Sequence, residues 1–220
     1  VILPTALLST HTGGFSGFTF LDLTDQMQKI IAHWEKIGLR FDALCTGYFG
    51  SPSQVDLLLT HIETLCLRLL LQQQPVARDL RQISAALKMI ADMERIGDQA
   101  ADIADIVPHL PTPPDGRCGP IREMARAVIR MVTESVDAYV RRDTALAEAV
   151  IRQDDEVDDY FDRVRHALTA LIAQDPGEGE RALDLLMIAK YFERIGDHST
   201  NIAEWVVFAV TGVHNGVEEL

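Results

Sequence analysis

The sequence is poor in aromatic residues, at 6%, and it has only three cysteines, Cys45, Cys66 and Cys118. An odd number of widely spaced cysteines with no C-x-x-C pair excludes a disulfide framework and a zinc knuckle. It reads as reduced, buried thiols in a cytosolic protein. Basic residues are also in deficit, 20 Lys and Arg against 33 Asp and Glu, for a formal net charge of −13 and a pI near 4.8. That balance excludes generic binding to a nucleic-acid backbone, which needs basic surface. It suits cations or basic protein surfaces as partners. Long uninterrupted apolar runs are missing as well. Val1–Leu21 carries no Asp, Glu, Lys or Arg, but Pro4, Gly13, Gly14 and Gly17 break it and it lacks a basic n-region. Neither a signal peptide nor a membrane-spanning helix is expected there, and the chain reads as soluble and cytoplasmic.

What is abundant is Leu, Ala, Ile and Arg within a chain that is 47% hydrophobic, a composition that favours helices. The 220 residues allow one large domain or two of about 100 residues each. The stretch from Val107 to Ile121 holds Pro108, Pro111, Pro113, Pro114 and Pro120 with Gly116 and Gly119, which marks a linker. The halves on either side resemble each other. Glu94-Arg95-Ile96-Gly97-Asp98 recurs 99 residues later as Glu193-Arg194-Ile195-Gly196-Asp197, and the same offset lays Leu87 on Leu186 and Ile103-Ala104 on Ile202-Ala203. A five-residue identity at matched places indicates internal duplication.

Each half offers three helical stretches: 21–46, 53–73 and 76–107, then 121–142, 143–174 and 178–211. Pro75 suits the first turn of the third, and Asp143 before Thr144 suits a helix cap. The predicted fold is therefore all-α, two tandem three-helix bundles related by duplication. The predicted organisation is an arm at 1–20, a first bundle at 21–107, a linker at 108–120, a second bundle at 121–212 and a tail at 213–220.

The repeated motif places carboxylates in a column. With Glu94 at zero and 100° per residue, Asp98, Asp102 and Asp105 fall at about 40°, 80° and 20°. Met89, Met93, Ile96, Ala100, Ile103 and Val107 gather on the opposite side. The second copy repeats this with Glu193, Asp197, Asn201 and Glu204, opposite Ile188, Phe192, Ile195, Ile202 and Val206. Arg95 and Arg194 are turned about 100° from the first Glu and do not neutralise the column directly. Like charges one turn apart repel, and a hard cation shared between neighbouring helices would relieve the repulsion. Asp154, Asp158 and Asp162 supply a partner column on the middle helix, with Asp155 and Asp159 beside them and His166 a turn beyond. The first half has only Asp56 and Glu63 on a shorter helix, so a metal site is expected chiefly in the second bundle. The simpler reading is a solvated acidic face. Gly97 and Gly196, in helix interiors, indicate close approach of another helix, with tight core packing as the plainer cause.

These motifs resemble the PhoU family of phosphate-uptake regulators. The likeness runs from about Val55 to Gly212, through Gln74–Arg81, Ala91–Asp98 and Glu193–Glu204. It implies a cytoplasmic negative regulator of phosphate uptake and of the phosphate-starvation response, without enzymatic activity, peripheral to the membrane through its partners. Those partners would be the ATPase subunit of a phosphate ABC transporter and a phosphate-responsive sensor histidine kinase. It also implies a homodimer and iron, zinc, manganese or magnesium on the E-x-x-x-D surfaces, here Glu94, Asp98 and Asp102, and Glu193, Asp197 and Glu204 with Asp154, Asp158 and Asp162. Two features depart from the family: Thr46–Pro52 replaces an acidic, alanine-rich start to the second helix, and Val1–Phe20 has no counterpart.

Other functions are weighed against this. A ferritin-like di-iron enzyme needs Glu-x-x-His pairs inside the bundle, and none of the seven His residues follows a Glu by three. No nucleophile–base pair or phosphate loop is evident, and Gly13-Gly14-x-x-Gly17 lies in no strand–turn–helix context. An accessory protein of another phosphate carrier, or a carboxylate-bundle metalloprotein, remains the alternative.

Overall fold

A computed structural model describes residues 6–8, 20–38, 51–73, 78–110, 119–214 and 217–218. The leader's Gly13–Gly17, Cys45, Pro75 and most of the Pro/Gly linker, Cys118 included, lie outside these. The all-α expectation holds. Among the described residues there are six α-helices: α1 (Thr24–Lys36), α2 (Pro52–Gln73), α3 (Arg78–Ile106), α4 (Gly119–Arg141), α5 (Thr144–Gln174) and α6 (Gly179–Thr211). Two short antiparallel ladders accompany them, β1 (Ala6–Leu8) with β2 (Phe20–Asp22) and β3 (Val213–His214) with β4 (Val217–Glu218). None of the described helices is long and apolar enough to cross a membrane.

The chain divides into two compact units, Val1–Leu67 and Arg68–Leu220. In the first, the β2–α1 junction is tied to the start of α2. The Asp22 carboxylate accepts from the backbone N–H of Thr24 at 2.7 Å and from its hydroxyl, and buried Gln54 donates to Asp22 and to Thr24 Oγ1 at 3.1 and 3.0 Å. The Thr24 hydroxyl and N–H hold the Asp22 carboxyl below its usual value. Cys66 is a free, buried thiol, as its sequence context indicates, and burial pushes its pKa up.

The second unit is built around α4, α5 and α6. Their apolar faces pool Met124, Met131, Val150, Val157, Val164 and Leu185, with Ile195 and Val206, in one buried cluster. Each such side chain taken from water stabilises by about 1.5–3 kcal/mol. Turn chemistry sets the order of the helices. Arg142 takes a left-handed backbone, φ 54°, to close α4, and the Asp143 carboxylate then accepts from Leu146 N at 3.0 Å to cap α5. Asp175 accepts from Gly177 N at 2.9 Å to turn the chain into α6, and Gly212 ends α6 at φ 84°, a backbone that suits glycine. Buried Ser135 and Ser199 are satisfied by their own helices, donating to the carbonyls of Val132 and Ile195.

Helix α3 belongs to this unit too and packs along α6. Ala85 meets Phe208 and Ala209, and Arg81 lies beside Gly212, so the two helices run antiparallel. The face α3 buries is not quite the one its pattern indicates. Met89 is buried and Ile96 and Ile103 pack on the core, but Met93 is 42% exposed, Val107 is 52% exposed and Ala100 is exposed. Buried or half-buried instead are Ala85, Asp92 and Gln99, which continue a 3–4 spacing with Met89, Ile96 and Ile103. The seam is thus rotated by about 40° toward the polar side of the helix. On α6 the expected apolar residues are placed as read: Ile188, Ile195, Ile202 and Val206 are buried and Phe192 is half-buried.

Candidate functional site

Helices α5 and α6 bring together four of the predicted carboxylates, Asp154 and Asp158 from α5 with Glu193 and Asp197 from α6. The pairing follows from antiparallel packing. Where Asp154 and Asp158 sit one turn apart on one helix, Asp197 and Glu193 do so in reverse on the other. The helices come close at Gly196, where a Cβ would lie in van der Waals contact, 3.4 Å from Val157 Cγ1 and 3.7 Å from Asp154 Oδ1. Thr200 Oγ1 donates to Asp154 Oδ1 at 3.2 Å.

The electrostatics show how close the groups are. Burial raises the pKa of Asp154, and the charges of Asp197 and Asp158 raise it further. Asp158 is raised by burial and by Glu193, and Asp197 by burial and by Glu193 and Asp158. Asp197 keeps an open side, yet the neighbouring helix takes enough water from it to disfavour the anion. One cation offsets part of this. Lys190 forms an ion pair with Glu193, lies 5.4 Å from the Phe161 ring centroid, and draws the pKa of Asp158 and Asp197 down.

Other predicted residues stand apart. Asp162 is exposed and pairs with Arg165 at 2.9 Å, although its charge still reaches Asp158 one turn away and adds to raising that carboxyl, and His166 engages the Asp162 carbonyl at 2.7 Å from its own helix. Glu204 is half-buried seven residues past Asp197. Glu94, Asp98 and Asp102 form an exposed column along α3. Here one reading needs correction: Arg95 does reach the column, pairing with Asp98 at 3.5 Å, because its long side chain swings back over the turn between them. Gly97 also differs from Gly196, with nothing among the described residues within 4 Å of its would-be Cβ.

The donor chemistry of the α5–α6 face, all carboxylate oxygen, fits a hard cation. Among the described residues, however, no three His, Cys, Asp or Glu side chains are gathered closely enough to hold one.

Sequence reasoning missed Asp92. Its Oδ1 accepts from His198 Nδ1 at 2.9 Å and from Asn201 Nδ2 at 3.1 Å, a polar clamp between α3 and α6. The available signal was Asn201, which breaks the acidic column at the place where the first copy has Asp102.

Comparison with known proteins gives one consistent result. The family model described as "PhoU domain" matches residues 52–107 and 121–206. A phosphate-specific transport system accessory protein PhoU homolog from Clostridium acetobutylicum is 36% identical over 164 residues, 72% of this chain and 73% of the relative. A homolog of the same description from Zymomonas mobilis is 34% identical over 197 residues, 89% of this chain and 80% of the relative. The crystal structure of PhoU from Pseudomonas aeruginosa superposes with a TM-score of 0.68 at 29% identity, over 87% of this chain and 86% of that one. The regulatory protein PhoU from Streptococcus pneumoniae shares the fold, with a TM-score of 0.62 at 21% identity over 86% and 81% of the two chains.

Proposed function

Because the chain belongs to the PhoU family, we propose that it is a non-catalytic accessory and regulatory protein of phosphate-specific transport. It restrains phosphate uptake and the phosphate-starvation response by binding other proteins, namely the ATPase subunit of the phosphate ABC transporter and a phosphate-responsive sensor histidine kinase. It works in the cytoplasm as a homodimer, peripheral to the membrane through those partners, with repeats at 21–107 and 121–212 joined by 108–120. The observation that carries this is the match of one family model to both halves, among relatives whose names place them in phosphate-specific transport.

The charge supports contact by acidic faces. At −13 the chain attracts basic partner surfaces, and exposed carboxylate columns speed and orient such encounters. Affinity capture from phosphate-replete cells tests the reading. The wild type should retain the transporter ATPase or the kinase, and Asp98→Lys with Asp197→Lys should lose most of it. Unchanged capture by the double variant would remove these columns from the interface.

A second reading is favoured by the raised aspartates of α5 and α6. A hard cation there, magnesium, manganese, iron or zinc, would supply positive charge to offset the repulsion among Asp154, Asp158, Glu193 and Asp197. Elemental analysis of protein purified without chelator or affinity metal checks it. Less than about 0.2 equivalents, with no uptake of added Mn²⁺ or Fe³⁺, would count against it.

A further inference from the structure

Helix α4 carries a second stripe besides the one it buries. Met124, Val128, Met131, Ser135 and Ala138 gather on the face packed against α5 and α6. About 100–160° around the helix from that face runs another row, Arg122, Ile129, Val136 and Asp143, at seven-residue intervals. Asp143 stands just past the end of the helix. The middle of this row is apolar and open to water. Ile129 is 64% exposed and Val140, beside the row, is 72% exposed, with Val136 half-buried between them. One exposed apolar side chain on a surface is ordinary, but a run of them at the spacing of a helix–helix seam marks a contact face. The ends of the row carry opposite charges. Arg122 is exposed and holds no ion pair among the described residues. Asp143 is exposed and uses one oxygen to cap α5 at Leu146 N. The charged flank of α4 is occupied differently, since Arg130 bonds to Gln153 and Glu156 of α5.

We infer that this row is a contact between two copies of the chain, with the two α4 helices antiparallel across a two-fold axis between Val132 and Thr133. Ile129 of each copy then meets Val136 of the other, and Arg122 of each meets Asp143 of the other, so every contact is made twice. A parallel pairing would set Arg122 on Arg122 and Asp143 on Asp143, so the charges select the antiparallel one. They also select a second copy as the occupant. Read backwards, a row of plus, apolar, apolar, minus becomes its own complement, which an unrelated partner would have to reproduce. The inference rests on the homodimer reading above and gives that dimer a surface.

Sedimentation of the full chain measures the dimer dissociation constant of the wild type, Ile129→Glu and Arg122→Asp. I129E brings a charge into the contact from each copy and should weaken dimerisation at least about a hundredfold. R122D sets acid against acid at both ends and should weaken it about tenfold. Both positions are exposed, so circular dichroism should show the helical fold of each variant unchanged. Thr133→Cys tests the pairing without removing an apolar group. Beside the two-fold axis it should give a disulfide-linked dimer under mild oxidation, which the wild type with Cys45, Cys66 and Cys118 should not. If the wild type dimerises, I129E and R122D dimerise equally well and T133C stays unlinked, the α4 surface is overturned and the homodimer reading stands. A wild type that stays monomeric throughout the concentration series overturns both.

Discussion

Helices α3 and α6 carry the same five residues, E-R-I-G-D, yet meet different surroundings. Twelve residues of α6 are buried against three of α3, so α6 is the central helix of its unit and α3 a flank. Gly196 lies under Val157 of α5, while among the described residues none comes within 4 Å of a Cβ at Gly97. Asp197 is crowded by carboxylates from a second helix, and Asp98 shares its surface with Arg95. The motif itself therefore specifies neither burial nor charge environment. What packs against it does.

The sharpest way to break that comparison is at matched core positions. Ile202 is fully buried, and Ile202→Ala should cost about 2–5 kcal/mol. Ile103→Ala, at the same place in the first repeat but half-buried, should cost about 1–2 kcal/mol. Urea unfolding of the two variants measures both, and equal losses would mean that the repeats are packed alike. A smaller contrast lies at the glycines. Gly97→Ala gains helix propensity in open space and should stabilise by about 0.5–1 kcal/mol. Gly196→Ala fits at van der Waals distance from Val157 but sets its methyl 3.7 Å from Asp154 Oδ1, taking water from that carboxylate, so it should gain less than Gly97→Ala.

The smallest expected effect is electrostatic. Asp154, Asp158 and Asp197 keep their protons to higher pH in the folded chain than in the unfolded one, where the usual value is 3.8. Their ionisation therefore costs stability at neutral pH, and the cost is recovered as pH falls through the folded values toward 3.8. Asp197→Asn should stabilise by about 0.5 kcal/mol at pH 7 after solvent screening, with the gain vanishing near pH 4. Melting curves of the wild type and of Asp197→Asn across pH 4–8 check this.

Most of the fold was legible because helices announce themselves by period and punctuation. Asp143 capped α5 and Asp175 turned the chain into α6 at the positions their side chains indicate. The pairing of Glu193 and Asp197 with Asp154 and Asp158 was legible too, since both columns step by one turn. The α3 seam was not. Periodicity weighs apolar residues, and Asp92 and Gln99 enter the seam as polar ones, Asp92 because α6 offers it His198 and Asn201. Lys190 was passed over for a related reason. A single lysine on a helix reads as solvated until the carboxylates around it are known to come from two helices.

The antiparallel contact of α3 with α6 joins two copies of one helix, which is the geometry of an isologous dimer. A single-repeat chain pairing in this way would have to make every contact twice. The Asp92 clamp breaks that rule, since position 191, the counterpart of Asp92, is Tyr, and Gln99 stands where its symmetry mate has His198. Two identical copies cannot hold such a one-sided contact, whereas the diverged copies fused in this chain do. Fusion thus lets one surface of the contact evolve without the other following, and the two faces of a doubled protein become free to serve different partners.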